Sequence, residues 1–401
     1  MERKNFAWPV TSIEEADHEA FFYWYEKNKS LLMTHKLAIW GAGIRGTTFS
    51  ILLKEQGFHN ILFVDSNPQK QGGYIDEFPI ISPQELEQKR AAENILILIS
   101  PENSDGIQTE LEDKGYQKDQ DFFIVESGEY AAYVEEFLRP YGQKVLVMGD
   151  CEFSAVSLID DDRSTLQDKL FQRCGKDNTK ILAMHGMGLR AEYNIFHAQI
   201  LEGMKPEKLI IMVNFDTLTG KQHLLPRSQH AELLGWLLSV QKNPSEEFLE
   251  YVQLAQMRSK NLQMEFFTGP EHMGQISEVQ ARNYFRLNYL YKLNIETEGM
   301  LYLIRILREA HKENINVLPF IPPVNYQLGR KLLGDVFDSK YADNLNKVKH
   351  VVAAEASDLL DLSYSLSADL FATEMTANET TNSLGREKVA DLLYAAIQEM
   401  K

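Results

Sequence analysis

Two short stretches of this 401-residue chain combine residue types that could do chemistry. The first is Gly41-Ala-Gly43-Ile-Arg-Gly46, with Asp65 further on. In a turn from strand to helix, the first glycine permits the bend, the second lets a phosphate approach the backbone, and the third allows close helix packing. Free N–H groups at the helix start hold an anion, and an acidic side chain about 20 residues on accepts from ribose hydroxyls. Two readings stand: Gly41, Gly43, Gly46 and Asp65 hold a nucleotide or nucleotide-sugar, or the turn is inherited and binds nothing. The second stretch is VLVMGDCEFSAVSLI, Val145 to Ile159, where an apolar run ends in Gly-Asp150 and Cys151 follows. A thiol ionises near pH ~8.5, far below a hydroxyl, so it becomes a nucleophile with less help. The neighbouring Asp150 carboxylate opposes that ionisation, and a small buried inert cysteine is the competing reading.

Other candidates carry less. The histidines are scattered without a His-x-x-x-His pair, and neither Cys151 nor Cys174 has a Cys-x-x-Cys partner, so no metal is expected. Asp160-Asp161-Asp162 reads as a solvated acidic turn. Arg227, in LLPRSQH, is either a phosphate or carboxylate ligand or an ordinary surface arginine.

The elements that must position these residues alternate between strand and helix. Residues 12–33 open with a Ser-x-x-Glu capping box and carry apolar residues at helical spacing, with Phe21, Phe22, Trp24 and Tyr25 as a packing face. Strands are predicted at Leu37–Trp40, Ile61–Asp65, Asn94–Pro101 and Asp121–Ser127, with helices between them, which implies a parallel sheet. After a connecting helix, a second series is predicted at Val145–Met148, Ile181–His185, Leu209–Asn214, Ile315–Phe320 and Leu359–Leu362. A long helical stretch, about residues 238–312, is too long for a crossover, and part of it could cap the site. The expected organisation is a helical segment at 1–35, an α/β domain at 36–130, a linker at 131–143 and a second α/β domain at 144–401.

Composition is globular, with 44% hydrophobic and 25% charged residues. A formal net charge of -17 argues against nucleic acid or an anionic membrane surface as the main partner. No run approaches the roughly 18 apolar residues of a membrane span. MERKNFAWPVTS lacks an apolar signal region, and two cysteines make no disulfide framework. The chain therefore reads as soluble and cytoplasmic.

The stretch WGAGIRG…ILFVDSNPQKQGGYIDEFPIISPQEL resembles the small Rossmann-like domain of bacterial sugar-modifying proteins, including sugar N- and O-acetyltransferases of surface-glycan pathways. That resemblance implies handling of a nucleotide-sugar, or an adaptor role. An NAD-linked enzyme is a weaker alternative, since the one Tyr-x-x-x-Lys, Tyr23 to Lys27, lies before the first strand.

From Lys144 the order of motifs resembles the SGNH (GDSL-like) hydrolase superfamily. VLVMGDC, ILAMHGMG, KLIIMVNFD, INVLPFIPPVNYQLG and LLDLSYSL…NETTNSLGREKVADLL stand in the order of that family's blocks. The resemblance implies a three-layer α/β/α domain and puts Cys151 at the nucleophile position, where it would begin a helix whose N-terminus lowers a thiol's pKa. It gives the oxyanion role to the N–H of residue 151, to Gly186 or Gly188, and to Asn214. The histidine and aspartate positions fall on Thr380 and Ala377 in one register, or on Thr381 and Asn378 in the other, so either register lacks the base and its carboxylate. His185 is the nearest substitute base by topology, or a structural histidine capping its strand. The implied function is acyl transfer or ester cleavage on a carbohydrate or related metabolite of surface-glycan or secondary metabolism. Its partner would be a small-molecule carbohydrate or acyl donor, with a protein of the same pathway as a further candidate. The competing class is a degenerate, non-catalytic protein that binds a glycan or nucleotide-sugar or acts as an adaptor.

Overall fold

The computed structural model of the chain describes residues 4–7, 12–101, 104–125, 129–140, 144–157, 160–184, 186–218, 230–261, 277–377 and 380–400. It falls into two compact units, one built on Met1–Glu129 and the other on Tyr130–Glu265 with Ser277–Lys401. Both are mixed α/β with a parallel sheet at the core. Among the described residues no helix is long and apolar enough to cross a membrane.

The first unit has a sheet of Lys36–Trp40 (β1), Ile61–Val64 (β2), Tyr74–Ile75 (β3), Phe78–Ile81 (β4), Ile95–Ile99 (β5) and Phe122–Ile124 (β6), in the order β3-β4-β2-β1-β5-β6. All pairs are parallel except β3 with β4. β5 reads Ile-Leu-Ile-Leu-Ile and every residue is buried, as a strand covered on both faces requires. The β3–β4 hairpin is absent from the sequence reading because Pro79, which is exposed, interrupts its apolar run. The leading helix begins at Glu15, and Ser12–Glu14 is extended, so the capping box expected at Ser12 does not start it. Phe21, Trp24 and Tyr25 are buried, and Phe21 stacks on Phe49 with ring centroids 5.2 Å apart.

The second unit has a five-stranded sheet of Val145–Gly149 (β7), Thr179–Ala183 (β8), Lys208–Met212 (β9), Asn316–Ile321 (β10) and Leu360–Asp361 (β11), in the order β8-β7-β9-β10-β11. Every pair is parallel. One face carries a core of Val145, Val147, Ile181, Ile210 and Phe320 packed against the helices Leu166–Cys174 and Ser383–Glu399. The stretch expected to be mostly helical holds Ala231–Val240, Glu246–Asn261, Glu278–Asn288 and Glu298–Lys312. The strand order reverses at β7, whose neighbours on both sides come later in the chain. Ligands of open α/β sheets bind outside the carboxyl ends of the strands at such a switch point. The carboxyl end of β7 is Gly149-Asp150-Cys151, and that of β9 leads to Asn214.

Candidate functional site

Gly149 closes β7 because nothing larger fits: a Cβ there would lie 2.5 Å from the Phe153 ring and 3.1 Å from Met212. The chain then turns sharply. Cys151–Phe153 is a single 3₁₀ turn, followed by extended backbone at Ala155–Ser157. The α-helix expected to begin at residue 151 is therefore not there, and the lowering of the thiol's pKa by a helix N-terminus goes with it. Asp150 caps the turn from within. Its Oδ1 accepts from the Glu152 N–H at 3.2 Å and its Oδ2 accepts from Asn214 Nδ2 at 3.0 Å. The carboxylate is buried, and desolvation pushes its pKa up against the lowering effect of these hydrogen bonds. Asn214 is thus fixed to the Cys151 turn through Asp150 (expected only as an oxyanion donor). Cys151 itself is partly exposed, and neither cysteine is in a disulfide.

The closing segment meets the turn from far along the chain. Thr380 Oγ1 donates to Glu152 Oε1 at 3.1 Å, a buried contact across 228 positions. Thr380 backbone C=O accepts from Ala372 N–H at 3.0 Å, which zips this segment to its neighbour. The register is locked by Arg386, buried to 2% exposure. Its guanidinium donates to the Thr381 and Asp162 carbonyls at 2.9 Å, to the Ser164 carbonyl at 2.9 Å and to Asp160 Oδ2 at 3.0 Å. Asp160 is therefore tied to a buried cation rather than solvated, which corrects the acidic-turn reading at that residue. Asp162 is held well below the usual carboxylate range by its hydrogen bonds to Ser164 and Lys169. Ala377 is buried and apolar.

Beside this turn lies a small cleft lined by Glu152, Leu166, Met212, Phe320, Pro322, Pro323, Thr381 and Val389. Its lining is apolar except for Glu152 and Thr381. Close enough to Asp150 to feel its charge stands Glu192, in the first turn of the helix Leu189–Leu201. Glu192 is 2% exposed, and its Oε2 makes no hydrogen bond among the described residues. Burial first, and the Asp150 charge second, hold its carboxyl well above the ordinary range. Buried Tyr133 has its hydroxyl pushed up for the same reason, by burial and then by Glu192.

The remaining expectations are placed as follows. Gly186 lies in the turn after β8 with φ +61°, and Gly188 caps the helix Leu189–Leu201 with extended backbone. His185, Arg227 and Asn378 lie outside the described residues. In the first unit the glycine turn joins β1 to the helix Ile44–Glu55. A Cβ on Gly46 would sit 2.1 Å from the Gly41 carbonyl oxygen, so that glycine serves close packing, whereas Gly43 has nothing within 4 Å. Asp65 is engaged by the turn itself. Its Oδ2 accepts from the Ala42 N–H at 2.9 Å and from Lys70 Nζ at 3.2 Å, and its Oδ1 accepts from the Asn67 N–H at 2.8 Å. Among the described residues no three His, Cys, Asp or Glu side chains converge as metal ligands would.

Sequence reasoning missed Glu152, Glu192 and Arg386 as site residues. Glu152 carried a signal, since it directly follows Cys151, and Arg386 stood in the Gly-Arg pattern of the closing segment. Glu192 looked like any charged residue on a helix.

No protein-family model matches this sequence, and no curated protein does. Among solved structures it is similar to a putative acylhydrolase from Bacteroides fragilis, at 11% identity over 67% of this chain and 94% of that one, with a TM-score of 0.33. It is similar also to a GDSL-like lipase from Bacteroides thetaiotaomicron, at 10% identity over 68% and 98%, with a TM-score of 0.32. An acetylxylan esterase from Geobacillus stearothermophilus matches at 12% identity over 64% and 94%, with a TM-score of 0.31. TM-scores of this size carry no argument about the chemistry of this chain.

Proposed function

We propose that the second unit carries out acyl transfer or ester cleavage, with Cys151 as the reacting thiol and an acylated or acyl-accepting carbohydrate as the substrate class. The observation that carries this reading is a partly exposed Cys151 at the carboxyl edge of a parallel sheet, in a turn tied to Asn214 through Asp150 and to Thr380 through Glu152. Cys151 Sγ would attack the ester carbonyl carbon, forming an S–C bond, and the alkoxide would leave with the thiol's proton. Water or a sugar hydroxyl would then take the acyl group and return a proton to the sulfur. The Cys151 N–H and the Asn214 amide would be the donors to the oxyanion, a role commonly worth about 3–4 kcal/mol. The carbohydrate class rests on the order of motifs from Lys144 onward.

A second reading has its own support: Thr380 Oγ1 is a donor to Glu152, so the position where a histidine base is expected holds no base. A site of that kind would bind an acylated glycan or nucleotide-sugar without turning it over.

Intact-protein mass spectrometry after incubation with acetyl-CoA and activated acyl esters separates the two. Acylation of the wild type, absent in Cys151→Ala, is the expected result. Wild type and variant both unmodified, with equal melting temperatures, would reject catalysis in favour of binding.

A further inference from the structure

Two neighbouring strands of the second unit each deliver a tyrosine just past their carboxyl ends. After β10 the chain runs Pro322-Pro323-Val324-Asn325 and enters the helix Tyr326–Leu333, and after β11 it runs Leu362-Ser363-Tyr364. The two segments are tied together. The Val324 N–H donates to the Ser363 carbonyl at 3.1 Å, and the Leu362 N–H donates to the Ile321 carbonyl at 3.0 Å. Pro322 and Pro323 line the cleft. Tyr326 follows Pro323 by three residues, so chain length alone keeps their Cα atoms within about 11 Å.

Tyr326 and Tyr364 meet edge to face with ring centroids 5.3 Å apart, and Tyr364 packs in turn on buried Tyr341 at 5.8 Å. The Tyr341 hydroxyl donates to Ser363 Oγ at 3.0 Å, so the ring beneath Tyr364 is itself pinned. Tyr364 is nevertheless 41% exposed. The Arg330 guanidinium lies over both rings, 4.9 Å from the Tyr326 centroid and 5.7 Å from that of Tyr364. Its Nε donates to both carboxylate oxygens of Asp338 at 2.9 Å. Among the described residues neither the Tyr326 nor the Tyr364 hydroxyl makes a hydrogen bond.

A pyranose ring has a face of C–H groups that packs on an aromatic ring, and a rim of hydroxyls that needs fixed donors and acceptors. The tyrosines supply the first, and their hydroxyls with the Arg330–Asp338 pair supply the second. That pair is neutral as a whole, and the chain carries a formal net charge of -17, so a polyanionic glycan is disfavoured. We propose that Tyr326, Tyr364 and the Arg330–Asp338 pair form a subsite for a neutral sugar ring, next along an oligosaccharide whose other end enters the cleft. The inference rests on the carbohydrate class of the proposed function and not on Cys151 reacting. A glycan-binding protein would use the subsite equally.

The test titrates xylotetraose, cellotetraose and tetra-N-acetylchitotetraose against the whole chain by ligand-observed NMR, giving a Kd for each. Wild type should bind at least one of the three. Tyr364→Ala should then weaken that Kd roughly tenfold or more, while Tyr364→Phe, which keeps the ring, stays within about fivefold of wild type. Arg330→Gln should weaken it roughly three- to tenfold. Trp236→Ala, which removes an exposed aromatic from the helix Ala231–Val240, should leave it unchanged. Binding by wild type that Tyr364→Ala and Arg330→Gln leave intact overturns the subsite while the carbohydrate class stands. Equal losses in Tyr364→Ala and Trp236→Ala overturn it too, as adhesion to any exposed ring. Binding of none of the three by wild type overturns subsite and carbohydrate class together. If Tyr364→Ala does not fold, Arg330→Gln carries the test from an exposed position. The acyl reading fails separately, through an absent acyl adduct in a wild type that still binds.

Discussion

A carboxylate can be a ligand for a substrate or a part of the scaffold, and its hydrogen bonds decide which. Asp65 accepts from two backbone N–H groups and a lysine within its own turn. A ribose hydroxyl would have to compete with all three. Asp65→Ala removes the acceptor for the Ala42 and Asn67 amides, and each buried N–H left unpaired costs about 1–3 kcal/mol. Hydrogen exchange at Ala42 should then rise roughly tenfold or more relative to wild type, as the turn opens locally. Unchanged protection there would mean that another acceptor replaces Asp65. Thermal shift with nucleotide-sugars tests the ligand role directly, since saturating ligand at a hundred times its Kd adds roughly 2.7 kcal/mol.

At the scale of elements, the helix Leu189–Leu201 carries the clearest liability. Desolvation, and after it the Asp150 charge, raise the pKa of its buried Glu192 well above the ordinary carboxyl value. A carboxyl whose folded pKa is raised gives stability that is whole below its unfolded pKa, about 4.5, and is lost as pH rises toward its folded value. Glu192→Gln keeps the shape without the titration. It should stabilise the protein at pH 7 by about 1–3 kcal/mol, and the gain should vanish near pH 4, as read by thermal unfolding at both pH values. An equal gain at both would make packing, not protonation, the cause.

The elements themselves were legible because buried parallel strands are continuous apolar runs: Ile95–Ile99 and Val145–Gly149 announce themselves. The β3–β4 hairpin was not, since its pairing sets Pro79 opposite Tyr74 and breaks the pattern. The site was legible in part. Cys151 and Asn214 each follow an apolar strand, so their place at the sheet edge could be read. The Glu152–Thr380 contact could not, because no local pattern joins residues 228 positions apart. Nor could the burial of Glu192, which sits among the small and polar residues of an ordinary helix start.

Over the whole second unit, a buried cation contributes to the response to pH. Lys180 on β8 is fully buried, and its Nζ donates to the Phe137 carbonyl at 2.9 Å and to Gln199 Oε1 at 2.8 Å. Desolvation lowers its pKa to about 7, with the Glu136 charge opposing and the Arg139 charge assisting. Between about pH 7 and 10.5 the unfolded chain binds more protons here than the folded one, so stability rises with pH across that window. Melting temperature should climb from pH 7 to pH 9, and Lys180→Met should flatten the climb. A wild-type curve that falls over this range would show that Lys180 is not the controlling group.

The connection between the Cys151 turn and the segment that ends with Arg386 also has a consequence in time. A ribosome adds about 5–20 residues per second, so on the order of tens of seconds separate the emergence of Cys151 from that of Thr380 and Arg386. During that interval the thiol is present without the carboxylate contact that Thr380 completes and without the register that Arg386 locks. The Glu152–Thr380 contact therefore forms only after the 228 positions between its partners have been made, and until then the Cys151 turn stands without it.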